Sequence, residues 1–198
     1  MILLIIFLGY LFGSFPSGYL AGKIAKGIDI RSLGSGSTGA TNVLRHIGKR
    51  AAITVFLLDV FKGVISILLA KFFLLNDSWQ VAACLSTLIG HIWPVWLNWK
   101  GGKAVATGLG IFLGLSWQVG LATLGVFIIM ITLFRIVSLA SVSSSLALPL
   151  IMFLSFSSSN ISLPFLIISL LAMILVIWRH RENIVRLIKG KEPRIGQP

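Results

Sequence analysis

The sequence predicts an all-α integral membrane protein with seven transmembrane helices, its N-terminus outside and its C-terminus in the cytoplasm. Three observations support this fold class. The 198 residues are 57% hydrophobic and 11% charged, whereas about 25% of the residues in soluble domains are charged. Segments 104–134 and 136–178 contain no lysine, arginine, aspartate or glutamate over 31 and 43 positions. Most lysines and arginines lie at the ends of apolar segments or in short connections, which is typical of cytoplasmic loops.

The apolar segments define seven predicted spans, because a helix needs about 20 apolar residues to cross a bilayer. The spans lie near residues 2–22, 52–72, 78–97, 103–116, 118–135, 137–155 and 162–178. Turn-forming residues separate neighbouring spans at 76–78, 116–118 and the serine-rich 156–162. The fourth span is short for a full crossing, so we expect a thin or partly re-entrant helix there.

Positive charge orients these spans. Segment 23–50 carries six lysine and arginine residues against one acid, and the tail after residue 178 carries another six. Lys100, Lys103 and Arg135 mark the connections between them. With seven crossings and an outside N-terminus, all these groups are cytoplasmic. No linker or internal repeat divides the chain, so residues 1–198 are predicted to form one polytopic domain.

The net charge of +12 raises the question of a nucleic-acid partner. Its placement argues against one, because the cations sit where orientation signals and contacts with lipid phosphates are found. We therefore expect a lipid bilayer as partner and no nucleic acid. The single cysteine, Cys84, lies inside an apolar segment and supports neither a disulfide nor a metal cluster.

Residues 34–45, GSGSTGATNVLR, form the most informative polar segment, which we call the glycine loop. Its formal match to GxGxxG does not indicate a dinucleotide site, because that motif requires a preceding strand and here an apolar helix and a basic turn precede it. Glycine amides, serine and threonine hydroxyls and the Arg45 guanidinium nevertheless suit a phosphate group. The alternative is a flexible cytoplasmic loop, which would not require Asn42 and Arg45 to lie close to one helical turn apart.

A second constellation, Gly90 to Pro94 followed by Lys100 to Ala104, contains the sequence Gly-Gly-Lys. A nucleotide P-loop is excluded, because position 97 is leucine and position 104 is alanine. A glycine turn that presents Lys103 at the start of an apolar helix is still a suitable phosphate site. The alternative role for Lys103 is a positive-inside anchor. We expect His91 to be a hydrogen-bonded packing residue.

Asp59 and Lys62 lie within the second span, three residues apart and therefore on one helix face. Charges inside a membrane are usually paired or functional. We expect an ion pair that braces the site, and a direct role remains an alternative.

Two further groups lie near predicted cytoplasmic helix ends. Ser141 follows Arg135 at the start of the sixth span, where a serine either back-bonds to the preceding turn or contacts a ligand. His180 and Asn183 are three residues apart at the end of the seventh span. A histidine at this boundary can transfer a proton or donate to a phosphate.

Several enzyme classes are excluded by missing motifs. No histidine is followed five positions later by aspartate, which excludes the histidine–aspartate acyltransferase mechanism, and there is no Gly-x-Ser-x-Gly. Histidine, cysteine and carboxylate positions are too few for a metal site. We expect no cofactor and no metal.

Six blocks, in this order and at this spacing, resemble the bacterial acyl-phosphate:glycerol-3-phosphate acyltransferase family (PlsY). They are GSFPSGYL, DIRSLGSGSTGATNVLR, DVFKG, GHIWPVWLNWKGGKAVAT, SLAS and WRHREN. The resemblance implies a seven-span enzyme of the bacterial inner membrane with a cytoplasmic active site. It implies transfer of the acyl group of a fatty acyl phosphate to the 1-hydroxyl of sn-glycerol 3-phosphate, giving lysophosphatidate and phosphate, the first acylation of phospholipid biosynthesis. Acyl-CoA and acyl carrier protein would not be used.

The resemblance also implies residue roles. The predicted catalytic residues are His180, Lys103 and Arg45. The predicted substrate-binding residues are Ser35, Gly36, Gly39, Thr41, Asn42, Ser141 and Asn183. The chain departs from the common family pattern at Ser37, where asparagine is usual, and at Ala104, where glycine is usual. An alanine there restricts the turn if the backbone requires a positive φ.

Two other protein classes are compatible with the same residues. A transporter for a small organic phosphate would explain basic loops and intramembrane charge, but it predicts inverted repeats and polar residues through the midplane. A structural membrane subunit would not need the glycine loop.

Overall fold

The computed structural model describes residues 1–158 and 162–196, without the side chains of residues 156–158. Within these ranges the chain is helical and has no strand. The α-helices are α1 (Ile2–Ser14), α2 (Ser17–Lys26), α3 (Ala40–His46), α4 (Lys49–Phe72), α5 (Asp77–Ile92), α6 (Val105–Leu115), α7 (Trp117–Phe134), α8 (Val137–Ser158), α9 (Leu163–Arg179) and α10 (Arg181–Ile188). Short 3₁₀ turns occupy Ile30–Ser32 and Val95–Leu97.

The all-helical membrane architecture is confirmed. Among the described residues, five helical segments are long and apolar enough to cross a bilayer, or six if α9 and α10, bent by 62°, form one broken span. The five are Ile2–Lys26, Lys49–Phe72, Asp77–Leu97, Trp117–Phe134 and Val137–Ser155. Helix α6 has 11 residues, about 16 Å at 1.5 Å per residue, against an apolar bilayer thickness of about 30 Å. It is too short to cross alone, as its sequence indicated, so a count of seven crossings stays a prediction.

The predicted breaks lie near observed helix ends. The Asn76 side chain accepts a hydrogen bond from the Trp79 amide at 3.1 Å and caps α5. Ser116 separates α6 from α7. The third predicted break, 156–162, falls partly on residues 159–161, which lie outside the described residues.

The first span is one broken segment, and the break is held by the predicted ion pair. Helix α1 ends before Pro16, which lacks the amide hydrogen that would continue the helix. Lys62 Nζ lies 2.8 Å from Asp59 Oδ1 and donates to the Phe15 carbonyl at 3.2 Å. Ser17 Oγ donates to Asp59 Oδ1 at 2.7 Å. These buried groups join both sides of the break to α4, which confirms the ion pair.

Helix α5 occupies the middle of the bundle and packs against α1, α4 and α9, while α6 lies on α4. The main core includes Ile67, Leu88, Ile111, Phe112 and Met152. By contrast, α7 packs on α8 and has only Val119 and Gly120 buried. An apolar helix exposed along most of its surface is expected to face lipid.

Candidate active site

A cavity of about 210 Å³ lies where the glycine loop meets α6, α8 and the α9–α10 bend. One part of its lining is polar or charged: Ser35, Thr41, Arg45, Lys103, Ser141, His180, Asn183 and Glu192. Another part is apolar: Phe56, Leu109, Phe112, Leu124, Phe127 and Leu148. A polar end continued by an apolar wall suits an amphipathic molecule.

Asn42 holds the glycine loop in shape. Its Nδ2 donates to three backbone carbonyls of the loop and the turn before it, at 2.9–3.0 Å. Its Oδ1 accepts from the Ser35 amide at 3.3 Å. The side chain is 2% exposed. The Asn42 Nδ2 hydrogens are therefore occupied by the loop. Contact between Asn42 and a substrate stays a prediction.

Two glycines allow the loop its tight path. Gly34 has φ +56° and Gly36 has φ +64°, values that side-chain-bearing residues rarely adopt. The glycine loop has left-handed backbone conformations at Gly34 and Gly36 and is cross-linked by Asn42. These features favour an ordered loop over the alternative of a flexible one. The Gly39 amide donates to Ser37 Oγ at 3.2 Å, just before α3 begins.

Arg45 extends from α3 and lines the cavity while remaining exposed. Its guanidinium has no hydrogen-bond or ion-pair partner within residues 1–158 and 162–196. A guanidinium is always protonated and presents a planar set of donors. It is therefore available to an anionic ligand.

The Gly-Gly-Lys turn is anchored against α5. The Gly101 amide donates to the Ile92 carbonyl at 3.1 Å and the Gly102 amide to the His91 carbonyl at 3.0 Å. A Cβ added to Gly102 would meet the His91 ring, which explains the glycine. His91 is buried, with Nδ1 3.1 Å from Thr107 Oγ1, as expected of a hydrogen-bonded packing residue. Ala104 adopts φ +60°, the left-handed conformation that a glycine accommodates more easily.

Lys103 leaves this turn and enters a buried polar group. Its Nζ donates to Asn183 Oδ1 on α10. The pKa of Lys103 is lowered to about 8, mainly by burial; the nearby cations Arg186 and Arg179 contribute to this decrease, while Glu192 and Glu182 oppose it. At neutral pH the group is an ammonium with little surrounding water.

His180 and Ser141 also face the cavity, and each has one polar contact with its own helix. His180 Nδ1 lies 2.8 Å from the Val176 carbonyl, which can only accept a hydrogen bond. The hydrogen of a neutral ring is therefore on Nδ1, and Nε2 carries a lone pair. Ser141 Oγ donates to the Val137 carbonyl at 2.9 Å, so its hydroxyl hydrogen is used within α8.

The sequence of residues 3–190 matches the profile of the glycerol-3-phosphate acyltransferase family. The chain belongs to that family. A glycerol-3-phosphate acyltransferase of Prochlorococcus marinus (strain NATL2A) is 93% identical over 198 residues, the whole of both chains. Another, from Parasynechococcus marenigrum (strain WH8102), is 60% identical over 98% of this chain and 90% of its own.

Solved structures agree with the family assignment. The crystal structure of PlsY (YgiH), an integral membrane glycerol 3-phosphate acyltransferase in its glycerol 3-phosphate form, superposes with a TM-score of 0.89 at 37% identity. The match covers 98% of this chain and 96% of that one. The lysophosphatidic acid form of PlsY gives the same TM-score and identity.

The structure of this glycerol-3-phosphate acyltransferase family member brings almost all the predicted site residues to one cavity. Nine of them line it: Ser35, Gly39, Thr41, Asn42, Arg45, Lys103, Ser141, His180 and Asn183. Gly36 instead lines an adjoining recess of about 90 Å³, together with Ser35 and Lys103.

One residue of the site, Glu192, is not predicted from the sequence. This carboxylate is 7% exposed although it follows α10 in a basic tail. Beyond His180 and Asn183, the tail shows mainly positive charge, which indicates membrane orientation and not a buried anion. The signal for Glu192 is that the whole sequence has only five acidic residues.

Proposed function

We propose that this protein transfers the acyl group of a fatty acyl phosphate to the 1-hydroxyl of sn-glycerol 3-phosphate. The products are lysophosphatidate and inorganic phosphate. The observation that carries the proposal is one cavity in which Arg45 and Lys103 lie at a polar end and Phe112, Phe127 and Leu148 line an apolar wall. Family membership supports the acceptor, as do the two ligand forms in which the PlsY neighbour was crystallised.

The chemistry requires one substitution at the acyl carbonyl. The 1-hydroxyl oxygen forms an ester bond to the carbonyl carbon, and the bond from that carbon to the phosphate oxygen breaks. The bonding electrons leave with the phosphate. The hydroxyl proton goes to the departing phosphate or to the free lone pair on His180 Nε2. An acyl phosphate is already activated, so no covalent enzyme intermediate is needed.

The protein contributes mainly orientation and charge stabilisation in this scheme. Arg45, Lys103 and the glycine-loop amides would hold two anionic substrates side by side. Such alignment can contribute up to about 7–11 kcal/mol to lowering a barrier. Ser35, Thr41 and Ser141 would supply further polar contacts, while Asn42 shapes the loop from beneath.

We further propose seven crossings with an outside N-terminus, which places the cavity on the cytoplasmic side of the bacterial inner membrane. Positive charge supports this orientation, because the glycine loop and the tail are both basic and both reach the cavity. A cytoplasmic site would meet glycerol 3-phosphate directly from the cytosol.

The donor is tested with purified protein, radiolabelled glycerol 3-phosphate and one of palmitoyl phosphate, palmitoyl-CoA or palmitoyl acyl carrier protein. Lysophosphatidate is expected only with palmitoyl phosphate. Product from either thioester alone would overturn the proposed donor. In proteoliposomes, uptake of label without product would instead indicate a transporter, and neither uptake nor product would favour a structural subunit.

The residue roles are tested with His180→Ala and Lys103→Ala. Removing a preorganised charge or a proton-transfer group typically lowers turnover by about 10²-fold or more. The exposed Lys191→Gln serves as a control because it removes a cation from the neighbouring tail. Rates near that of the wild type in both site variants would contradict the assignment.

A further inference from the structure

Glu192 is a buried carboxylate with three hydrogen-bond donors. Its Oε1 accepts from Ser138 Oγ at 2.8 Å and from Asn183 Nδ2 at 2.6 Å. Its Oε2 accepts from Arg186 Nε at 2.7 Å. The donors come from α8 and α10, and the Ile195 amide pins the following residues to the Arg135 carbonyl at 2.7 Å. The tail therefore folds back against α8, and this brings the Glu192 side chain to the cavity.

The carboxylate is ionised at neutral pH. Burial acts to raise the pKa of Glu192, but the hydrogen bonds from Asn183, Arg186 and Ser138 outweigh burial and hold the pKa below its ordinary value. An ionised carboxylate can accept hydrogen bonds but cannot donate them.

This restriction decides how the neighbouring amide points. Asn183 is buried between Glu192 and Lys103, and an amide has one donating and one accepting end. Since Glu192 only accepts, Nδ2 must face Glu192. Oδ1 then faces the Lys103 ammonium, which only donates. Reversing the amide would place two acceptors together at one end and two donors at the other.

We propose that Glu192 is a positioning residue that orients the Asn183 amide and thereby holds the Lys103 ammonium at the polar end of the cavity. The inference rests on the proposed function in one respect: Lys103 is taken as the group that meets a substrate phosphate. Glu192, Asn183 and Lys103 form a hydrogen-bonded chain that we call the relay. Glu192 also lines the cavity, and it is one of two anions, with Glu182, that act on Lys103 together with the cations Arg186 and Arg179.

A merely structural role would be to fasten the tail to α8 and α10. The positioning role depends on whether the side chain at position 192 donates or accepts a hydrogen bond toward Asn183, whereas the fastening role requires only that the side chain stays bonded. Glu192→Gln keeps the size of the side chain and its oxygen can still accept from Arg186. The NH2 of the new glutamine amide then faces Asn183 Nδ2, so two donors meet. The Asn183 amide must flip to accept from it, and Nδ2 then faces Lys103. Asn183→Asp instead places a second carboxylate against Glu192.

The double variant Glu192→Gln/Asn183→Asp restores every pairing and reverses the direction of only two hydrogen bonds, those that join position 192 to position 183 and to Ser138. The new amide at position 192 would donate to the carboxylate at position 183, and that carboxylate would still accept from Lys103. Ser138 can become an acceptor because a hydroxyl has both capacities. The pair keeps one negative charge in total.

The experiment measures kcat/KM of the two single variants, the double variant and the exposed control Lys191→Gln, with melting temperatures for all. Each single variant is expected to lose at least about tenfold, and the double variant to be at least about tenfold more active than the product of the two single losses predicts. The control should match the wild type. Additive losses in the double variant, or two unaffected single variants, would overturn the proposal.

A second readout does not depend on catalysis. The rate of reductive methylation of Lys103, followed by mass spectrometry, should rise in Glu192→Gln, where the flipped amide no longer accepts from Lys103. It should fall in Asn183→Asp, where a carboxylate holds the ammonium, and it should not exceed the wild-type rate in the double variant. Equal methylation rates in all variants would overturn the positioning role. Wild-type protein inactive with palmitoyl phosphate would count against the proposed donor alone, because methylation still reports on the relay. A single variant that does not fold leaves the double variant as the test. The relay is supported if the double variant folds and Lys103 is methylated no faster than in the wild type. It is contradicted if the double variant does not fold or if Lys103 is methylated faster.

Discussion

The glycine loop and the C-terminal segment, residues 180–196, each form part of the wall of one cavity, but they are held in place differently. In the glycine loop, one neutral side chain, Asn42, binds carbonyls within 12 residues of itself. In the C-terminal segment, charged groups connect residues that are distant in sequence. Glu192 reaches Ser138, 54 residues away, and Asn183 reaches Lys103, 80 residues away.

This difference separates two ways of holding an anion. The loop offers backbone amides, hydroxyls and a guanidinium as hydrogen-bond donors. The other part of the wall holds an ammonium whose charge depends on burial and on several neighbouring ions. We therefore expect pH to affect one part of the cavity wall and loop mutations to affect the other.

The largest expected effect is the loss of activity at alkaline pH. Burial lowers the pKa of Lys103 to about 8, helped by Arg186 and Arg179 and opposed by Glu192 and Glu182. The ammonium is present below this pH and is lost as pH rises through it. We expect kcat/KM to fall about tenfold per pH unit above about 8, as expected for a single deprotonation.

Lys103→Arg is the matched variant for this prediction, because a guanidinium stays protonated over the same range. Its pH profile should be flat between about pH 8 and 10, whatever its absolute rate. A descending limb that persists in Lys103→Arg would show that another group is responsible. The measurement is initial rate against pH with both substrates in detergent solution.

A smaller effect is expected when the loop loses its central amide. Asn42→Ala leaves buried carbonyls without a donor, and an unsatisfied buried group costs about 1–3 kcal/mol. We expect the free energy of unfolding to fall by about 2–3 kcal/mol and KM for glycerol 3-phosphate to rise. Thermal or denaturant unfolding and steady-state kinetics measure these changes. An unchanged melting temperature with unchanged KM would mean that the loop does not depend on Asn42.

The smallest effect on the free energy of unfolding is expected for Arg31→Gln, in the turn that precedes the glycine loop. Arg31 pairs with Asp29 at 2.7 Å and donates to the Leu97 carbonyl at 2.7 Å, but both charged side chains are partly exposed. Pairs of this kind contribute about 0–1 kcal/mol. Arg31→Gln should therefore change unfolding free energy by less than about 1 kcal/mol. A loss as large as that of Asn42→Ala would show that the two residues support the loop equally.

Much of the fold and part of the site could be predicted from the sequence. The apolar segments, the short fourth helix, the Asp59–Lys62 pair and the packing role of His91 were each indicated by local composition or spacing. Pro16 indicates a kink in the first span. The full division of that span into α1 and α2 does not follow from the apolar pattern, which continues across the break. Asn42 stays a predicted substrate contact. Its position in the sequence does not show that its Nδ2 hydrogens are occupied by carbonyls of the loop and the preceding turn.

The sequence by itself determined an all-helical membrane chain with a glycine loop suited to phosphate, because hydropathy, charge placement and turn residues act over short distances. Only the tertiary structure decided how Lys103 is held. The polarity of Asn183 depends on Glu192, and Glu192 is buried only because the tail folds back beneath α8. Hydrogen-bond direction is settled by three side chains meeting in space, which a linear pattern of residues does not specify.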